Sequence, residues 1–154
     1  MRAYPLAFLI GAALALAGCT GSTLYHRYQP LPDTGWERRD TIWFDLPIAE
    51  DSLDATLSIG LRWTGDIPLE EVVLGIEQQW ESPCTHHSDT IRFRLTDSEG
   101  NAAGTGINIH QSEASGAHLL LKEGLQGRIG IHHLMTRETI PDITEIGIRI
   151  SSAP

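Results

Sequence analysis

Five residues carry donors that could do chemistry: Cys84, His86 and His87 in one short stretch, and His132 and His133 in another. Thiolate and imidazole are suitable ligands for zinc or copper. Cys84, His86 and His132 form the set such a site would use. The spacing matches no known metal pattern, and adjacent histidines on a strand point to opposite faces, so only one of each pair can bind. Cys84 with a nearby His would make a nucleophile and its base, but no order, spacing or Gly-rich turn supports that pairing. A solvated hairpin turn is the simpler reading of residues 81–89, so no catalytic residue, metal or cofactor is assigned. Four tryptophans offer a different chemistry, the stacking of sugar rings. Trp63 continues an inward series and belongs to a core. Trp43 sits out of phase with Ile42 and Phe44, on the other face of its strand, and is a contact residue if that face is exposed. Trp36 either contacts a ligand or partner or pins the N-terminal segment; pinning is the better fit. The acidic residues Glu50, Asp51, Asp54, Glu70 and Glu71 lack the dense Asp/Asn/Gly loop that calcium needs. They read as solvated surface.

The N-terminus carries an address. Arg2 gives a short positive start, and an apolar run over residues 3–17 follows. That run falls short of the ~20 residues a membrane span takes. It ends in Leu16-Ala17-Gly18-Cys19. Small residues before a cut suit a signal peptidase, and a plain secretory signal would need no more. The four residues together resemble the lipobox of bacterial lipoproteins. The resemblance implies diacylation of the Cys19 thiol, cleavage before Cys19 and acylation of the new amine. The expected organisation is a signal peptide at 1–18, a lipidated aromatic- and Pro-rich lead-in at 19–40, and one domain at 41–154. No Asp follows Cys19. By resemblance to Gram-negative sorting rules, that favours the outer membrane, at its periplasmic face. Lipidation leaves Cys84 as a lone thiol in an oxidising compartment: buried, metal-bound or paired between chains.

The elements that must position these residues are strands. Ile42, Phe44 and Leu46 alternate, as do Leu57, Ile59, Leu61 and Trp63, then Ile91, Phe93 and Leu95, then Ile129 and Ile131, then Ile146, Ile148 and Ile150. Ile107 and Ile109, and Leu119 and Leu121, add two more such runs. Period two with β-branched residues marks half-buried strands. Turn chemistry separates them at Gly65-Asp66-Ile67-Pro68, Ser82-Pro83, residues 97–101 and Pro141-Asp142. Residues 69–79 could be drawn as a helix, but Val72, Val73 and Ile76 favour a strand. The expected fold is all-β, an antiparallel sandwich of about eight strands; a small barrel is the alternative. With 41% hydrophobic residues the chain can build a core. Twenty acidic residues against eleven basic, a formal charge of −9, exclude the clustered Lys and Arg that nucleic-acid binding requires. The acidic body is repelled by anionic headgroups, so membrane attachment falls to the lipid. The lead-in is too aromatic for a free linker and is expected to pack along the sandwich.

That lead-in also carries a family resemblance. Tyr25-His26-Arg27-Tyr28-Gln29-Pro30-Leu31-Pro32, Gly35-Trp36, Asp40-Thr41, Phe44 and Pro47 resemble the opening of the GldH family, gliding-motility lipoproteins of the Bacteroidetes. Residues 140–150, with Pro141 and the Gly147-Ile148-Arg149 strand, resemble its ending. Asp89-Thr90, Asp97, Gly100 and Gly104-Thr105-Gly106 fit the middle in outline. The resemblance implies a non-catalytic accessory or assembly lipoprotein of a gliding- or secretion-type envelope apparatus, with the membrane and an envelope protein as partners. It brings no catalytic residues, and the Cys84–His87 and His132-His133 stretches lie outside its pattern. A second reading is an envelope binding module for a glycan or peptide. Exposed aromatics on one sheet face would favour it; an exposed apolar patch or free edge strand would favour a protein partner.

Overall fold

A computed structural model describes residues 22–65 and 67–153. Among them lie ten strands and no helix: β1 (Thr23–Pro30), β2 (Trp36–Glu37), β3 (Ile42–Asp45), β4 (Leu53–Thr64), β5 (Glu71–Glu81), β6 (Cys84–Arg94), β7 (Ile109–Leu121), β8 (Gly127–His133), β9 (Thr139–Ile140) and β10 (Ile143–Ser152). Eight of them build two antiparallel four-stranded sheets, ordered β1-β10-β4-β7 and β3-β8-β5-β6; β2 and β9 form a short clasp. The expected sandwich is therefore the fold.

Alternation decides which side chains meet between the sheets. Leu57, Ile59, Leu61 and Trp63 of β4 line up beside Ile146, Ile148 and Ile150 of β10. Val72, Leu74, Ile76 and Trp80 of β5 face inward with Ile129 and Ile131 of β8, and all belong to one core. Each fully buried Ile or Leu contributes roughly 1.5–3 kcal/mol. The β5 segment resolves as a strand because its apolar residues fall on every second position, which a helix would scatter around its axis. One run departs from expectation. Ile107 is not paired with Ile109 in a strand; β7 begins at Ile109, and Ile107 stands 92% exposed in the loop before it.

The lead-in is part of the framework. β1 pairs with the C-terminal strand β10, matching Tyr28 with Gly147 and Gln29 with Ile146. It is an edge strand, so Pro30 at its end interrupts no inner ladder. The Gln29 side-chain amide donates to the Trp43 carbonyl at 2.7 Å, tying the edge of one sheet to the edge of the other. Trp36, the first residue of the clasp, is fully buried, and its indole N–H donates to the Asp40 carbonyl at 3.0 Å.

Two glycines explain how Tyr28 lies flat on the outer face. Tyr28, Gly147 and Gly60 share one row across β1, β10 and β4. A Cβ on Gly147 would stand 2.6 Å from the Tyr28 ring, and one on Gly60 would collide with its hydroxyl. Isolated glycines inside a strand often mark such close approaches. Gly147→Ala is expected to destabilise the protein by about 1–3 kcal/mol, the usual cost of overpacking. In a Tyr28→Ala background the same change should cost well under half as much. Urea unfolding of the four proteins of that double-mutant cycle checks it; additive effects would contradict the contact.

Candidate functional site

The Leu16-Ala17-Gly18-Cys19 sequence lies outside the described residues. The chain is held in place from Ser22 onward. The Ser22 amide donates to the Ser152 hydroxyl at 2.9 Å, and the Ser152 amide donates to the Ser22 carbonyl at 2.9 Å. Strand direction then assigns the two ends of the sandwich. The start of β1 shares its end with the β3–β4 loop, the β5–β6 turn, the β7–β8 loop and the finish of β10. Four Cα steps separate Cys19 from Thr23, so its reach from this end is about 14 Å at most.

The cysteine and histidines are not brought together. Cys84 is exposed and free, the first residue of β6. His86 lies on the same outer face, in register with Gln79 of β5, whereas His132 of β8 is in register with Gly75. Four strand positions separate those rows, about 14 Å along the strand, far more than a shared metal with bonds near 2 Å would allow. Among the described residues no three His, Cys, Asp or Glu side chains gather to hold a metal. His132 instead lies over Gly75, its Nδ1 3.6 Å from a Glu77 carboxylate oxygen. That is beyond hydrogen-bond reach and attractive only when the ring is protonated.

The tryptophans divide as their phase predicts, with one surprise. Trp36, Trp63 and Trp80 are buried, so Trp36 pins the lead-in and offers no face to a ligand. Trp43 is half-buried on the outer face of the β3-β8-β5-β6 sheet. Its ring lies across Gly130, where a Cβ would stand 2.7 Å away, and the Arg128 guanidinium covers it 4.2 Å from the ring centre. Arg128 is held in turn by the Gln79 side-chain oxygen at 2.9 Å. The stacking surface a sugar would need is thus already taken by a cation–π contact. The other sheet repeats the device. Arg62 lies 4.1 Å over the Tyr28 ring and pairs with Glu145, while Gln111 accepts from its Nε at 2.8 Å. Burial raises the Tyr28 hydroxyl pKa, with Arg62 opposing.

His133 is the least exposed titratable side chain among the described residues. It is fully buried at the end of β8, edge-on to Trp36 at 5.5 Å. Its Nε2 lies 3.1 Å from the Trp36 carbonyl, which can only accept, so Nε2 carries the proton. Nδ1 is buried with no hydrogen-bond partner. Burial pushes the ring's pKa below its ordinary value; the Trp36 carbonyl opposes this, and Arg38 and His132 add to it. Sequence alone offered His133 only as one of a pair of possible metal ligands, although its position two residues beyond Ile131 already put it on the inward face.

The large exposed apolar side chains fall at the two ends. Leu24, Ile48 and Leu120 (63% exposed) lie at the Cys19 end; Ile107, Ile109 and Leu134 lie at the far end. There the Asp97 carboxylate caps its own turn, accepting from the Asn101 side chain and from the Asn101 and Glu99 amides. Those bonds hold it below the usual carboxylate range.

Residues 23–150 match the family model described as GldH lipoprotein, which covers both sheets. The chain belongs to the GldH lipoprotein family. A gliding motility lipoprotein GldH of Flavobacterium johnsoniae is 22% identical, and the match covers 97% of this chain and 98% of that protein. Likeness to solved structures is looser. A CocE/NonD family hydrolase from Staphylococcus aureus gives a TM-score of 0.39 at 9% identity, covering 84% of this chain but only 31% of the hydrolase. Eiger TNF from S. frugiperda gives 0.33 at 12% identity, covering 86% of this chain and 88% of that one. Neither likeness carries fold or activity across.

The buried neutral His133 makes a pH prediction. Its folded pKa lies below the unfolded value of ~6.5, so the unfolded chain takes up the proton first. The stability it contributes is whole above about pH 6.5 and falls as the pH drops below that, by at most about 1.4 kcal/mol per pH unit for one proton. His133→Gln keeps a donor for the Trp36 carbonyl and removes the titration. Its unfolding free energy should fall less steeply than the parent's between pH 7 and pH 5 in parallel urea titrations. Equal slopes would contradict the buried neutral ring.

Proposed function

We propose that this protein is anchored by acylation of Cys19 to the outer membrane, facing the periplasm. There it serves as a non-catalytic accessory or assembly component of a gliding- or secretion-type envelope apparatus. Residues 1–18 are removed on export, residues 19–40 tie the lipid to the body, and residues 41–154 complete the sandwich. Family membership supports the lipoprotein reading, and the name of the F. johnsoniae relative, matched over nearly its whole length, supports the link to gliding motility. The absence of Asp after Cys19 supports outer-membrane sorting.

The observation that carries the assembly role is the separation of exposed apolar side chains between the two ends. Leu24, Ile48 and Leu120 stand at the end that receives the lipid, where apolar side chains can meet the membrane surface. Ile107 and Ile109 stand at the far end, beside the start of the edge strand β7. The loop before β7 pairs with the start of that edge through Thr105 and Gln111, so it is the exposed apolar groups that suit a protein partner, and distance from the anchor presents them to one. A glycan platform is disfavoured, because Trp43 already carries Arg128 and the other three tryptophans are buried.

Two variants test this in the source cells. Cys19→Ala should abolish lipid labelling and release the protein from membranes, and unchanged retention would refute the anchor. Crosslinking of the tagged parent should recover an envelope protein at fixed stoichiometry. Ile107→Asp with Ile109→Asp should lower that recovery at least fivefold while membrane retention is unchanged. Recovery unaffected by the double change would remove the far end from the interface.

A further inference from the structure

The two sheets part at the end nearest Cys19 and leave a cavity of about 370 Å³. It is walled by Leu46, Leu53, Trp80, Leu121, Leu125 and Ile150, residues from both sheets and from the loops that join them. Its volume is that of a small-ligand site. Thr23 and Leu24 also line it, so the chain leading back to Cys19 leaves from beside the cavity.

Three observations restrict what can enter. Most of the lining side chains are aliphatic or aromatic, which suits a hydrocarbon at roughly 0.8 kcal/mol per buried methylene. No Lys or Arg among the described residues lines it, while Glu50 and Asp51 do. A free fatty acid carboxylate or a phospholipid phosphate would face those carboxylates without a counter-charge. The third is the tether. Cys19 lies within about 14 Å of Thr23, so a chain fixed to its sulfur is held beside the cavity at high effective concentration.

We propose that this cavity houses one acyl chain of the protein's own Cys19 lipid, whose diacylglyceryl thioether carries no charge to be repelled. The proposal rests on the lipidation of Cys19. Withdrawal of one chain from the bilayer would leave the anchor to the remaining chains and draw this end of the sandwich onto the membrane surface. Leu24, Ile48 and Leu120 surround that contact.

The test uses the full-length chain, expressed in cells fed a diazirine-bearing palmitate analogue and irradiated in intact membranes. Mass spectrometry should find the Cys19 peptide bridged through the acyl chain to peptides containing residues 46–53 and 119–125. Ala49→Trp fills the cavity from its loop side and should reduce those bridges at least fivefold. Leu121→Phe, a smaller filling change, should reduce them in the same direction if Ala49→Trp fails to fold. A lipidated Cys19 with no internal bridge overturns the proposal and leaves the anchor standing. So does a cavity peptide modified by phospholipid alone, since a bilayer lipid would then be the occupant. A Cys19 that carries no lipid by intact mass overturns the proposal and the anchor together.

Discussion

Ile59 and Ile148 lie side by side on one sheet, and Ile76 and Ile131 lie side by side on the other. The contact between these two inner faces is the constraint on which the rest depends. A four-stranded sheet with one apolar face has to cover it, and the cheapest cover is a second sheet of the same kind. Once the two faces close, every alternate residue is committed outward. The turns are forced to the two ends, and β1 and β3 are brought close enough for Gln29 to reach across to the Trp43 carbonyl. The burial of Trp36 and His133 depends on the same closure, because Trp36 and Ile140 of the clasp join the one core and His133 reaches the Trp36 carbonyl.

The outer faces show how a sandwich with water on both sides manages its surface. Gly60, Gly147, Gly130 and Gly75 open flat strips in the pleat, and aromatic rings fill them: Tyr28, Trp43 and His132. Arginines then cover Tyr28 and Trp43, held by Glu145 and Gln111 or by Gln79. The result is a polar, self-satisfied skin. Such partly exposed ion pairs add little stability each, but they occupy the aromatic faces that a ligand would otherwise stack on.

Function is therefore left to the ends. One is the end at which the proposed lipid would attach, and it holds a largely apolar cavity also lined by Glu50 and Asp51. The other carries exposed isoleucines beside an edge strand. On the proposed reading, such a protein holds to a membrane at one end and presents a contact surface at the other. Membership of the GldH lipoprotein family is consistent with that division.

The strands of the core were legible in the sequence because alternation is a local property. Ile146, Ile148 and Ile150 are two residues apart whatever they pack against. The lead-in's aromatics likewise announced that it would pack. What no local pattern carries is the pairing between distant segments. β1 meets β10, more than a hundred residues away, and β7 meets β4. Only those pairings bring Tyr28 over Gly147, place Thr23 and Leu121 around one cavity, and set His86 and His132 too far apart to share a metal. Arg128 over Trp43 depends on the register of β3 against β8, and a shift of one residue would have turned that tryptophan into the core. The sequence by itself determined which core residues alternate inward. The tertiary structure decided which residues meet, because register and strand order are settled by the whole core at once.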